Sequence, residues 1–193
     1  MNFLPQDGIL NYFPNFLSEN EANGYMELLL SEVQWRSDKI KMFGKEVTQP
    51  RLTGWYGDPG TVYTYSGLTM QPSRWTPALL ELKSKVEQVC EQQFNSVLLN
   101  LYRTGRDHMS YHADDERELG SNPTIASLSL GQKRIFQIKH RHQKDLTPLK
   151  FDLASGSLII MKGEMQKFWL HRINPTKKEV GPRINLTFRR IIL

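Results

Sequence analysis

The stretch YHADDERELG, Tyr111 to Gly120, sets His112 two residues before Asp114 and gathers Asp115, Glu116 and Glu118 behind them, in a chain with a formal net charge of +5. Side chains alternate between the two faces of an extended segment, so His112 and Asp114 project to the same side. Two ligands can then reach one ion. His171, in KFWLHRINP, follows a strand-like run far along the chain and is a third candidate. Two histidines and a carboxylate on a β scaffold form the three-ligand face used by non-haem Fe(II) oxygenases, leaving the other metal positions open to co-substrate and dioxygen. Zinc would accept the same ligands.

An H-x-D triplet arises often by chance, so the stretch PRINLTFRR carries more of the argument. Its alternation puts Arg183, Asn185, Thr187 and Arg189 on one face, and Ile184, Leu186 and Phe188 on the other. A polar face of this kind is often solvated. Here the opposite face is apolar enough to pack on a core, so the polar one can line the mouth of a barrel. Arg183 and Arg189 can then clamp a dicarboxylate through the paired hydrogen bonds that a guanidinium makes to carboxylate. Asn100 and Tyr102 in LLNLYR alternate in the same way and would add neutral donors.

These residues need a scaffold of strands, and the pattern supplies one. Two helices are expected in the first half. One starts at Ser18, with Glu21 completing a capping box and Tyr25, Leu28, Leu29 and Val33 as its apolar stripe; the other starts at Thr76 and Pro77, with Leu79, Leu82, Val86, Val89 and Cys90. After Phe94, short runs rich in β-branched and aromatic residues follow one another: SVLLNLYR, TIASLSL, RIFQIKH, LKFDL, SLIIMK and RINLTFRRIIL. The expectation is a mainly β protein with flanking helices, built as a sandwich, barrel or jelly roll rather than a βαβ sheet. At 193 residues the chain reads as a single domain. Its apolar runs are too short to cross a membrane as helices and its start lacks the pattern of a signal peptide, so a cytoplasmic or nuclear location is expected. Cys90, the one cysteine, excludes an internal disulfide and a cysteine-rich zinc module. The pI near 9.3 suits a polyanionic partner.

Taken together, NLYRTGRDHMSYHADDERELG, PTIASLSLGQKRIF, ASGSLIIMKGEMQKFWLH and PRINLTFRRI resemble the AlkB family of Fe(II)- and 2-oxoglutarate-dependent dioxygenases, which repair alkylated bases in nucleic acids. The resemblance covers essentially the whole chain, most clearly from about residue 40 onward. PRLTGWYGD and YTYSGLT are similar to the members that act on duplex DNA. It implies a double-stranded β-helix, a cupin-like jelly roll, with a nucleotide-recognition lid at about 36–75 and a catalytic β core at about 96–193. It further implies that His112, Asp114 and His171 bind Fe(II), and that Asn100, Tyr102, Arg183, Asn185, Thr187 and Arg189 hold 2-oxoglutarate. In that pocket Arg189 would take the distal C5 carboxylate and Arg183 the C1 side.

The implied reaction uses dioxygen to hydroxylate an N-methyl group, as in 1-methyladenine or 3-methylcytosine; the group leaves as formaldehyde while 2-oxoglutarate becomes succinate and carbon dioxide. Asp115 and Glu116 would meet the exocyclic amino group and positive charge of the entering base. Tyr63, Tyr65, Ser66 and Trp169 would surround it, Phe43 would fill the emptied stack, and Arg51 would hold the adjoining backbone. Lys139, His140, Arg141, His142 and Lys144 are expected to form a phosphate patch, with Lys177 and Lys178 a second. The expected partner is alkylated DNA, single-stranded or duplex, with RNA as a further substrate, no membrane, and a monomeric enzyme; the alternative is a 2-oxoglutarate oxygenase of the same fold acting on RNA, protein or lipid.

Overall fold

The structure, a computed structural model, describes the backbone of residues 1–37, 39–42, 45–61, 63–65 and 68–192, and the side chains of 1–37, 48–61 and 71–192. The strands are β1 (Ile9–Phe13), β2 (Lys39–Met42), β3 (Lys45–Thr48), β4 (Leu52–Gly57), β5 (Tyr63–Tyr65), β6 (Leu68–Met70), β7 (Ser96–Tyr102), β8 (Met109–His112), β9 (Ile125–Gly131), β10 (Arg134–His140), β11 (Leu149–Leu153), β12 (Ser157–Lys162), β13 (Trp169–Ile173) and β14 (Arg183–Arg189). The helices are α1 (Glu19–Glu32), α2 (Pro77–Cys90) and the single turn α3 (Met165–Phe168).

Both long helices start where their capping residues stand. Ser18 Oγ accepts from the Glu21 amide while the Glu21 carboxylate accepts from the Ser18 amide, satisfying two donors that the first turn would otherwise leave free. Thr76 Oγ1 accepts from Leu79 N, with Pro77 in the first turn. Each expected stripe loses one residue from the buried arc. In α1 the arc runs through Ala22, Tyr25, Met26 and Leu29, and Leu28 is 45% exposed; in α2 Ala78 joins Leu79, Leu82, Val86 and Cys90, and Val89 is 40% exposed. Leu28 and Val89 each precede a fully inward residue, so the 100° turn per residue carries them off the packed face.

From β7 onward the chain passes repeatedly between two antiparallel sheets. One has the order β1-β12-β9-β14-β7-β4 and the other β11-β10-β13-β8; β2-β3 and β5-β6 form separate two-stranded ribbons. Strands β7, β9, β12 and β14 lie in the first sheet and β8, β10, β11 and β13 in the second, the winding of a double-stranded β-helix. One apolar layer packs α1 and α2 on the outer face of the larger sheet and includes Leu99, Leu128, Leu158, Ile184, Leu186 and Phe188. The other lies between the sheets and brings Leu98, Ile125, Ile159 and Met161 against Phe136, Ile138, Trp169 and Ile173.

Strand β14 therefore separates the two layers, and every residue of it is buried. Ile184, Leu186 and Phe188 serve the helical layer, which leaves Arg183, Asn185, Thr187 and Arg189 between the sheets. The polar face is enclosed rather than solvated. Leu186, fully buried at mid-strand, pins this register. Leu186→Ala is expected to cost about 2–5 kcal/mol in denaturant unfolding, from lost burial and the cavity left behind; a loss under about 1 kcal/mol would mean that the strand is held otherwise.

Candidate active site

His112 ends β8 and His171 is central in β13, and the two are direct cross-strand partners. Their rings lie 4.2 Å apart. Asp114 follows β8 by two residues and turns back between them, its Oδ1 4.0 Å from His112 Nε2 and its Oδ2 3.9 Å from His171 Nε2. One ligand atom from each residue falls within 4.8 Å of the others, a spacing that one ion can bridge. A register shift in β13 directly after His171 ends the regular ladder beside these residues.

The protonation states suit a divalent cation. His112 Nδ1 stands 2.9 Å from Ser110 O, which only accepts, so Nδ1 carries a proton and Nε2 is the nitrogen that faces Asp114. Burial, reinforced by His112, lowers His171 to about 3, so its imidazole stays neutral. Burial alone would raise the Asp114 carboxyl, but Arg189, then His171 and His112, hold it below the usual carboxylate range. His112 Nε2, the neutral His171 imidazole and the Asp114 carboxylate thus converge as candidate ligands.

The four polar residues of β14 lead away from this cluster. Arg189 Nη2 donates to Asp114 Oδ1 at 2.5 Å, which puts Arg189 at the metal end. Thr187 and Asn185 follow, joined by a 2.9 Å bond from Asn185 Nδ2 to Thr187 Oγ1. At the far end Arg183 Nη2 donates to Ser129 Oγ and Asn185 Oδ1, and the guanidinium lies 5.1 Å from the Tyr102 ring centre. Arg189, expected at the distal carboxylate, thus stands at the metal end, and Arg183, expected at the C1 side, at the far end. A co-substrate that chelated an ion here through its C1 end would have Arg189 beside that end and Arg183 on its distal side.

Arg183 is 1% exposed, has no carboxylate partner among the described residues, and leaves Nε and Nη1 without an acceptor. Burial lowers it to about 10 against the opposing pull of Tyr102, so it remains a cation at neutral pH. A buried cation with unused donors calls for an anion. Asn100, Tyr102, Asn185 and Thr187 line one cavity together with the three ligand residues.

Two polar residues that hold the site had no motif to mark them. Gln166, buried in α3, accepts from the Asp114 amide through Oε1 at 3.0 Å and so orients the loop that bears the carboxylate. Arg134 donates to the carbonyls of Thr104, Asp107 and Asn174 and ties the segments leading into β8 to the one leaving β13.

The residues expected around the base are less uniformly placed. Asp115 is exposed beside the site and paired with Arg141 at 2.6 Å, while Arg141 also reaches Gln166 O. Glu116 Oε2 is shielded and takes no hydrogen bond among the described residues. Trp169 does not form a wall for the base: it is 1% exposed, T-shaped to His140, with its indole N–H on Gln6 O, because its side of β13 faces the layer between the sheets. Arg51 also points inward, its Nε on Asn100 Oδ1 at 2.7 Å, rather than toward a nucleic-acid backbone. His140 leaves the phosphate patch, buried against Asp7 at 3.1 Å; Lys144, Lys177 and Lys178 are exposed. Tyr63 and Tyr65 lie on β5, with side chains outside the described set, and Phe43 and Ser66 fall outside the described residues altogether.

A family model described as the 2OG-Fe(II) oxygenase superfamily matches residues 9–189. The human protein named DNA oxidative demethylase ALKBH2 is 39% identical over 182 residues, covering 90% of this chain and 70% of that protein. The mouse protein named Alpha-ketoglutarate-dependent dioxygenase alkB homolog 3 is 38% identical over 187 residues, covering 93% of this chain and 65% of that one. A solved structure described as "The structure of OsALKBH1" superposes with a TM-score of 0.67 over 98% of this chain and 100% of its own, at 16% identity, a likeness of fold.

Proposed function

The chain belongs to the 2OG-Fe(II) oxygenase superfamily, and on that premise we propose that it is an oxidative demethylase of N-alkylated bases in DNA. The observation that carries the reading is one cavity lined by the His-Asp-His cluster together with Asn100, Tyr102, Asn185 and Thr187, with the buried cation Arg183 behind Asn185 and Tyr102. Bound Fe(II) and 2-oxoglutarate supply the oxidation of a C–H bond by dioxygen.

The chain's own residues do the rest. His112, Asp114 and His171 would hold the metal through one ligand atom each, leaving room for co-substrate and dioxygen. Arg183 anchors the distal carboxylate, with Asn100, Tyr102, Asn185 and Thr187 donating alongside. Arg189 steadies the Asp114 carboxylate and meets the C1 end. Asp115 and Glu116 take the amino group and charge of a cationic base such as 1-methyladenine or 3-methylcytosine, which must be extruded from the stack to reach them. The lid is the region 36–75, including Phe43, Tyr63, Tyr65 and Ser66, and 96–193 is the catalytic core, within one domain and a monomer. The hydroxylated methyl group then leaves as formaldehyde.

No helix among the described residues is long and apolar enough to cross a membrane. A cytoplasmic or nuclear site of action, where DNA is found, goes with this reading, and RNA is the second substrate class to try.

Methylated single-stranded DNA, duplex DNA and RNA should be incubated with protein, iron, 2-oxoglutarate and ascorbate, then weighed by mass spectrometry. The expected result is loss of the methyl group with stoichiometric formaldehyde and succinate. Succinate formed without demethylation of any of the three would move the substrate to protein or lipid.

Phe43 tests the duplex part of the proposal. Unstacking costs on the order of a few kcal/mol per step, so Phe43→Ala is expected to slow repair of 1-methyladenine in duplex by about tenfold or more at fixed salt. The same lesion in a single strand should be nearly unaffected. Equal losses on both would make Phe43 structural, and no loss on either would favour single strands as substrate.

A further inference from the structure

Arg51 stands between β3 and β4, three residues past the end of the β2–β3 ribbon, where a surface residue would be expected. It is 5% exposed, and its Nε donates at 2.7 Å to Oδ1 of Asn100, itself 3% exposed, on the neighbouring strand β7. The carbonyl of the preceding Pro50 accepts from His108 N, which fastens this corner to the segment entering β8.

A guanidinium carries donors only. The acceptor end of the Asn100 amide must therefore face Arg51, and the NH2 end must face away. Asn100 lines the cavity of the His-Asp-His cluster, and its Nδ2 donates to no protein group among the described residues. A carboxylate carries acceptors only, so Nδ2 is the end it can use. Without that bond the amide could turn Oδ1 into the cavity, where it would oppose the same carboxylate.

We propose that Arg51 is a positioning residue of the co-substrate pocket: it holds the Asn100 amide with Nδ2 turned toward the 2-oxoglutarate carboxylate. This rests on the reading that the cavity takes 2-oxoglutarate. It also gives Arg51 a role away from nucleic acid, and it ties the corner that follows the β2–β3 ribbon to the co-substrate.

The test is calorimetric titration of 2-oxoglutarate into Mn(II)-loaded protein, for wild type, Arg51→Met, Asn100→Ala and the double variant. Binding by wild type checks the cavity's occupant separately; if wild type does not bind, the occupant is wrong and the proposal falls with it. Arg51→Met is expected to weaken binding about tenfold, as for a lost hydrogen bond to a charged group. Because Arg51 acts through Asn100, the double variant should bind no worse than Asn100→Ala alone. Arg51→Gln, neutral and milder in the same corner, should weaken binding several-fold and serves if Arg51→Met does not fold. Unchanged 2-oxoglutarate affinity in the folded variants overturns the proposal, as do additive losses. So does a variant that binds 2-oxoglutarate normally but loses affinity for oligonucleotide.

Discussion

His112→Ala and Asp114→Ala are each expected to lower demethylation by roughly a thousandfold or more, because loss of a ligand forfeits several kcal/mol of metal-based stabilisation. Their stabilities should diverge. His112 is a quarter exposed at the end of β8, and its one hydrogen bond among the described residues is to a carbonyl two residues away, so its removal should leave folding nearly intact. Asp114 is buried against Arg189 at 2.5 Å and accepts the fields of both histidines. Removing it leaves a buried guanidinium without that carboxylate, at a cost of about 3–5 kcal/mol. Asp114→Asn keeps the shape but not the charge, so it should also fail to hold iron while losing stability. Metal content and denaturant unfolding of the three variants, beside their turnover, separate these effects. Full iron occupancy and normal turnover in His112→Ala would remove His112 from the metal face.

The legible parts of this protein were those set by local rules. Alternation in PRINLTFRR needs only the period of a strand, and β14 does separate an apolar layer from a polar one. The caps at Ser18 and Thr76 are likewise local hydrogen bonds. What the sequence could not carry was which strand lies beside which. The pairing of His112 with His171 depends on β8 and β13 being neighbours, a fact of the winding and not of either segment. Nothing in the sequence told which end of β14 meets the His-Asp-His cluster, and it is Arg189 rather than Arg183 that reaches Asp114. Trp169 shares a face of β13 with His171, yet it is buried by Gln6, which lies far away in sequence. Arg51 and His140 looked like surface cations because that is where arginine and histidine commonly sit; each is buried by a partner on a distant strand or segment.

Arg183→Lys puts the roles of the two arginines to the test. Lysine keeps the charge but offers a compact ammonium in place of a planar fork, so a carboxylate loses its paired hydrogen bonds. Hydrogen bonds to charged groups are worth about 1.5–3 kcal/mol, so the KM for 2-oxoglutarate is expected to rise by about tenfold to a hundredfold. At saturating 2-oxoglutarate the turnover should largely recover, and the KM for DNA should not move, because Arg183 touches Ser129, Asn185 and Tyr102 and no metal ligand. Arg189→Lys should behave differently, since it disturbs Asp114 directly. There the loss should fall on iron retention and on turnover, and added 2-oxoglutarate should not restore it. If instead Arg189→Lys raised only the KM for 2-oxoglutarate while Arg183→Lys lost iron, the co-substrate would lie the other way round, with its distal carboxylate beside the metal face.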